Sequence, residues 1–71
     1  IVEEKIAPTA PARGKAIKDL PLPNNCVISG IIRHGEMIMP SGTAILEEGD
    51  EILALVDDAA RGPLEKLLGR S

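Results

Sequence analysis

Arg33 closes the most apolar run of this 71-residue sequence, and an arginine at the end of an apolar strand can offer its planar fork to a phosphate or a carboxylate. The alternative reading of Arg33 is a strand end held in a surface ion pair. His34 follows it and is the one side chain whose ordinary pKa lies near neutrality, so acid–base chemistry or pH sensing would begin there. Its neighbour Gly35 marks a turn, which makes His34 a solvated turn residue or a ligand contact. Cys26 is the single thiol, set at the start of an apolar strand where a buried, inert sulfur is expected. One Cys and one His build neither an internal disulfide nor a zinc site within the chain, and a reducing intracellular compartment is the matching expectation. Glu47, Glu48, Asp50 and Glu51 surround Gly49, and Asp57-Asp58 form a second acidic group. Their spacing lacks the alternating oxygen ligands of a calcium loop, so the first group reads as a solvated turn and the second as a helix cap. Ser29, Ser41, Thr43 and Ser71 have no glycine elbow or adjacent base, and no phosphate loop with its lysine is present. The expectation is a binding module and not an enzyme, with no metal site.

Composition narrows the partners. With 8 basic against 11 acidic side chains and no Phe, Tyr or Trp, the chain lacks both a basic stripe for a phosphate backbone and rings for base stacking, so nucleic acid is not expected as a partner. The apolar run is broken by Gly30, Arg33 and His34 well short of the ~20 residues of a membrane-spanning helix. A chain of this size makes one small domain of marginal stability, for which oligomerisation is a common support. Its start at Ile1 reads as a piece of a larger protein.

The elements that must position these groups follow from the pattern. Ile1 to Ile6 reads as a short edge strand, and Pro8, Pro11 and Gly14 as a loop. Lys15 to Leu20 places Ala16, Ile17 and Leu20 on one helical face, ended by Pro21 and Pro23. Cys26 to Arg33 reads as the central strand, buried on both faces, with Cys26, Ile28 and Ile32 facing one way and Val27 and Ile31 the other. His34-Gly35 is a tight hairpin connection to Glu36–Met39, although Asn or Asp is preferred to His there. Glu51 to Val56 alternates as a further strand, Asp57 and Asp58 cap a helix with Pro63 in its first turn, Leu64, Leu67 and Leu68 form its stripe, and Gly69 suits its exit. The expected fold class is α+β, a small β-α-β-β-β-α domain whose antiparallel or mixed sheet carries two short helices on one face. The opposite sheet face also carries Ile and Leu, and covering it with a second copy predicts a homodimer.

The run Gly14-Lys15-Ala16-Ile17-Lys18-Asp19-Leu20-Pro21-Leu22-Pro23, then Val27 to Glu36 with Ile31-Ile32-Arg33-His34-Gly35, then Pro40-Ser41-Gly42-Thr43 and Leu46-Glu47-Glu48-Gly49-Asp50-Glu51-Ile52-Leu53, resembles the TrkA C-terminal domain, also called RCK-C. The resemblance covers residues 1–69 and leaves 70–71 as a tail. It implies the β-α-β-β-β-α fold, pairing through this domain, and a preceding Rossmann-type domain outside this chain. It further implies a cytoplasmic sensor at the inner face of the membrane that regulates potassium transport by gating a membrane cation transporter or channel subunit. No cofactor of the domain itself is implied. In some relatives the dimer seam binds cyclic di-AMP, and the positions that correspond here are Ile31, Ile32, Arg33 and His34, which makes a small anionic or nucleotide effector the expected ligand. The hairpin Asn or Asp of such sites is replaced by Gly35-Glu36. A purely structural oligomerisation module, or the same domain in another transporter or regulator, are the alternative readings.

Overall fold

The computed structural model describes residues 1–69. Four strands and one α-helix run in the order β1 (Val2–Lys5), β2 (Cys26–Arg33), β3 (Glu36–Ile38), β4 (Glu51–Val56) and α1 (Asp58–Leu67). Every strand pairing is antiparallel, and the sheet order is β1-β4-β2-β3. The fold class is therefore α+β as expected, with the mixed-sheet option removed and one helix in place of two. The expected first helix is a single 3-10 turn at Ile17–Asp19. Its residues are committed elsewhere: Gly14 and Leu46, Leu46 and Lys15, Ile17 and Ala44, and Lys18 and Gly42 join by backbone hydrogen bonds of 2.8–3.1 Å around an Ala16–Ile45 bridge. This ribbon holds the chain extended up to Ala16, and Pro21 stops it soon after, so no full α-turn fits.

A bulge sets the faces of β2. Cys26, Val27 and Ile28 pair with Val56, Leu55 and Ala54, but beyond Ser29 the partners shift, so that Gly30, Ile31 and Ile32 meet Leu53, Ile52 and Glu51. The extra residue inverts the alternation. Ile28 and Ile31 thus both enter the core, while Val27 and Ile32 face the other side, which corrects the grouping expected from strict period-two reading. Continuing the shifted register by one step sets Arg33 across from Asp50; the unshifted register would set it across from Gly49.

The inner sheet face is covered by α1 and the loops, with Val2, Ile6, Ile28, Ile31, Leu46, Ile52, Leu64 and Leu68 at the centre of the core. Asp57 caps α1, its Oδ1 accepting from the Ala60 amide at 2.8 Å, while Asn25 Nδ2 donates to its other oxygen at 2.9 Å. The cap starts the helix at Asp58, so Pro63 falls in the second turn and not the first as expected. The carbonyl it leaves unpaired belongs to Ala59, which is at the surface. At the other end the amides of Ala7 and Ala12 donate to the carbonyls of Leu68 and Leu67. Gly69 leaves the helix at φ 91°, and a Cβ there would lie 2.6 Å from that of Ala7, so no other residue fits.

The outer face is different in kind. Val27, Met37 and Leu55 project from it, each more than half exposed, and Leu53 and Ile32 lie between them. In the single chain the central strand is therefore buried on one face only.

Candidate functional site

The β2–β3 hairpin closes on Arg33 and Glu36 with His34 at φ 52° and Gly35 at φ 79°. Positive φ at both central residues defines a type I′ turn, whose twist matches that of the flanking strands. His34 takes this conformation without the local hydrogen bonding that favours Asn or Asp there, and its side chain stands exposed.

Arg33 lies on the inner side of the sheet rim and is locked within the chain. Its Nε donates to Asp50 Oδ1 at 2.9 Å and its Nη2 to Asp50 Oδ2 at 2.8 Å, a two-point fork. Nη2 also reaches the Ile45 carbonyl at 2.9 Å, and Nη1 pairs with Glu47 Oε2 at 3.1 Å. Three of the five guanidinium N–H groups thus donate hydrogen bonds, and Nη1 adds an ion pair. Asp50 is 1% exposed and also accepts from the Glu47 amide at 2.9 Å. Its place in a solvated turn was the sequence expectation; instead it is the one buried charged side chain among the described residues. Burial pushes the Asp50 carboxyl up, but the Arg33 fork, the Glu47 amide and the charges of Arg33 and His34 together hold it below the ordinary 3.8. Hydrogen bonding to Asp50 in turn raises the Arg33 pKa.

A depressed carboxyl ties stability to pH in one direction. The contribution of Asp50 is fully present above its unfolded value of 3.8 and is lost as pH falls through the lower folded value. Melts followed by far-ultraviolet circular dichroism between pH 7 and pH 2 should show steep acid destabilisation below about pH 4 in the parent chain. Asp50→Asn should be less stable at neutral pH and flatter on the acid limb. Parallel curves for the two proteins would mean that Asp50 gains nothing from being ionised.

The four residues singled out by sequence separate in space. Ile31 is fully buried in the core, Ile32 faces the outer side, and Arg33 and His34 border the rim. Ile32, Arg33 and His34 do share one hollow of about 260 Å³ with Lys5 and Glu51, and His34 also borders a second of about 440 Å³ beside Arg13 and Ile45. Lys5 and Asp50 are the members that sequence reasoning missed. The signal for Asp50 was its place directly before an apolar strand, but only the register of β4 against β2 turns that into a contact. Among the described residues no three His, Cys, Asp or Glu side chains converge as metal ligands.

The TrkA-C domain model matches residues 1–69. The chain belongs to the TrkA-C domain family. A Trk system potassium uptake protein TrkA homolog of Archaeoglobus fulgidus is 40% identical to this TrkA-C domain over 52 residues, covering 73% of the chain and 12% of that protein. Homolog 2 of Methanosarcina mazei is 28% identical over 69 residues, 97% of the chain and 15% of that protein. This TrkA-C domain thus spans less than a fifth of those relatives' length. By fold it is similar to the RCK_C domain dimer of S. agalactiae BusR in complex with c-di-AMP, with a TM-score of 0.81 at 21% identity, covering 94% of this chain and 92% of that one. A second solved structure, of an RCK domain with cda, gives a TM-score of 0.77 at 19% identity over 94% of this chain and 97% of that one. No helix of the described residues is long and apolar enough to cross a membrane.

Proposed function

We propose that this TrkA-C domain is the effector-sensing and dimerising part of a cytoplasmic potassium uptake regulator that gates a membrane cation transporter. The observation that carries this reading is the uncovered apolar outer face, where Val27, Met37 and Leu55 crowd a sheet too small to hide them. A second copy related by a two-fold axis would cover that face. The likeness to a dimer holding c-di-AMP supports an anionic nucleotide at the seam, a two-fold ligand for a two-fold site. Ile32, on the outer face, and His34, at its rim, are the side chains free to touch it. Ile31 supports the strand from behind, and Arg33 contributes its Nη1 edge and the shape of the rim. The length of the relatives leaves room for a Rossmann-type domain ahead of this one.

Sedimentation at tens of micromolar should report about twice the 7.5 kDa chain mass. Titration with cyclic di-AMP should give one ligand per two chains, and at 100 times its Kd a stabilisation of about 2.7 kcal/mol. His34→Ala should weaken this binding without unfolding the domain. A dimer that no nucleotide stabilises would reduce the role to oligomerisation, and a strict monomer would remove the seam altogether.

A further inference from the structure

We infer that Met37 is an oxidation site through which a hydroperoxide separates the subunits; the inference rests on the proposed pairing through the outer face. Met37 sits on that face opposite Ile32, and it is 60% exposed. Its sulfur lies 3.2 Å from where a Cβ of Gly30 would be, and Leu53 Cδ1 lies 3.4 Å from the same point. The thioether thus fills the space that Gly30 leaves at the bulge, beside Leu53 in the middle of the apolar patch. Met39, just past the end of β3, is more exposed still but lies beyond the strand. Cys26 is the other oxidisable sulfur, and burial there works against the reactive thiolate. Thioether oxidation needs no deprotonation.

In the step, the Met37 sulfur donates an electron pair to one peroxide oxygen. The S–O bond forms as the O–O bond breaks, and the other oxygen leaves as water, or as an alcohol from an alkyl hydroperoxide, carrying the proton. Sulfur is oxidised by two electrons and the peroxide reduced by two. A sulfoxide is a strong acceptor, and no donor among the outer-face neighbours Gly30, Leu53 and Ile32 answers it from a side chain. Burying it against a second copy leaves it unsatisfied. Oxidation acts on the free subunit, where the Met37 side chain is more than half exposed, and mass action then holds the subunits apart.

The test compares the chain with its Met37→Leu and Met39→Leu variants before and after dilute hydrogen peroxide. Peptide mass spectrometry reads the added oxygen and sedimentation equilibrium reads the dimer Kd. The parent and Met39→Leu should weaken about ten-fold for each sulfoxide, about a hundred-fold for the pair, while the Kd of Met37→Leu after peroxide should equal its own Kd before it. Dimers that persist unchanged with Met37 fully oxidised overturn this inference and leave the pairing intact. Peroxide dissociation of Met37→Leu likewise overturns it, by placing the sensitive sulfur elsewhere. A monomeric parent before any peroxide overturns both the pairing and the inference.

Discussion

Replacing Arg33 with alanine should lower the melting temperature by about 12–40 °C, the equivalent of about 3–5 kcal/mol in a domain of this size. The loss comes less from the missing hydrogen bonds than from what remains: Asp50, almost fully buried, would keep its charge with only the Glu47 amide to answer it. A chain of this length has about 4–11 kcal/mol of stability in total, so the variant should be partly unfolded at 37 °C. Arg33→Lys should recover part of the loss, since a point charge replaces a two-point fork. Thermal melts by circular dichroism decide it, and a variant within about 4 °C of the parent would show that the pair contributes little. The result also governs how binding data are read. A nucleotide lost on Arg33→Ala says nothing about contact with the ligand unless the fold has survived, whereas His34 makes none of the hydrogen bonds around Asp50 and gives a cleaner comparison.

Leu64→Ala is expected to cost about 2–5 kcal/mol. Leu64 is fully buried where α1 meets the sheet, in one cluster with Ile28, Ile52 and Leu68. Only one α-helix covers the inner face, so no neighbouring helix can shift to refill the cavity. The helix itself is ten residues long and contains Gly62 and Pro63, both poor formers, and owes its existence to packing and the Asp57 cap. Loss of the anchor should therefore reduce the helical signal together with the denaturation midpoint. Retention of the parent midpoint would mean that the Asp57 cap and the Ala7 and Ala12 amides suffice.

What was legible in the sequence was whatever repeats with a period. The alternation of Ile52, Ala54 and Val56, the Val- and Ile-rich stretch from Cys26, the Leu64–Leu68 stripe and the His34-Gly35 connection all appear where the residues place them. Three features carry no period and were not legible. The bulge at Ser29 is signalled by Gly30 alone, and its consequence, the inversion of Ile32 and Arg33, depends on a partner strand two dozen residues away. The extended pairing around Ala16 and Ile45 competes with a helical pattern in Ala16, Ile17 and Leu20 and wins through hydrogen bonds to a segment the local sequence cannot see. Asp50 looks like its neighbours Glu47, Glu48 and Glu51 in every local respect. Whether a carboxylate in that run is solvated or buried is decided by where the Arg33 fork arrives.

The Arg33–Asp50 pair also constrains how this domain can change over generations. Losing either partner first strands a charge in the interior, whereas exchanging both for apolar residues of similar volume is often neutral or even stabilising. Positions 33 and 50 should therefore drift as a unit among descendants of one ancestor, with single departures rare and short-lived. A one-residue deletion at the bulge, by contrast, could be carried without stranding the carboxylate, because Ile28 and Gly30 already meet the consecutive partners Ala54 and Leu53 and closing the ladder keeps Arg33 opposite Asp50.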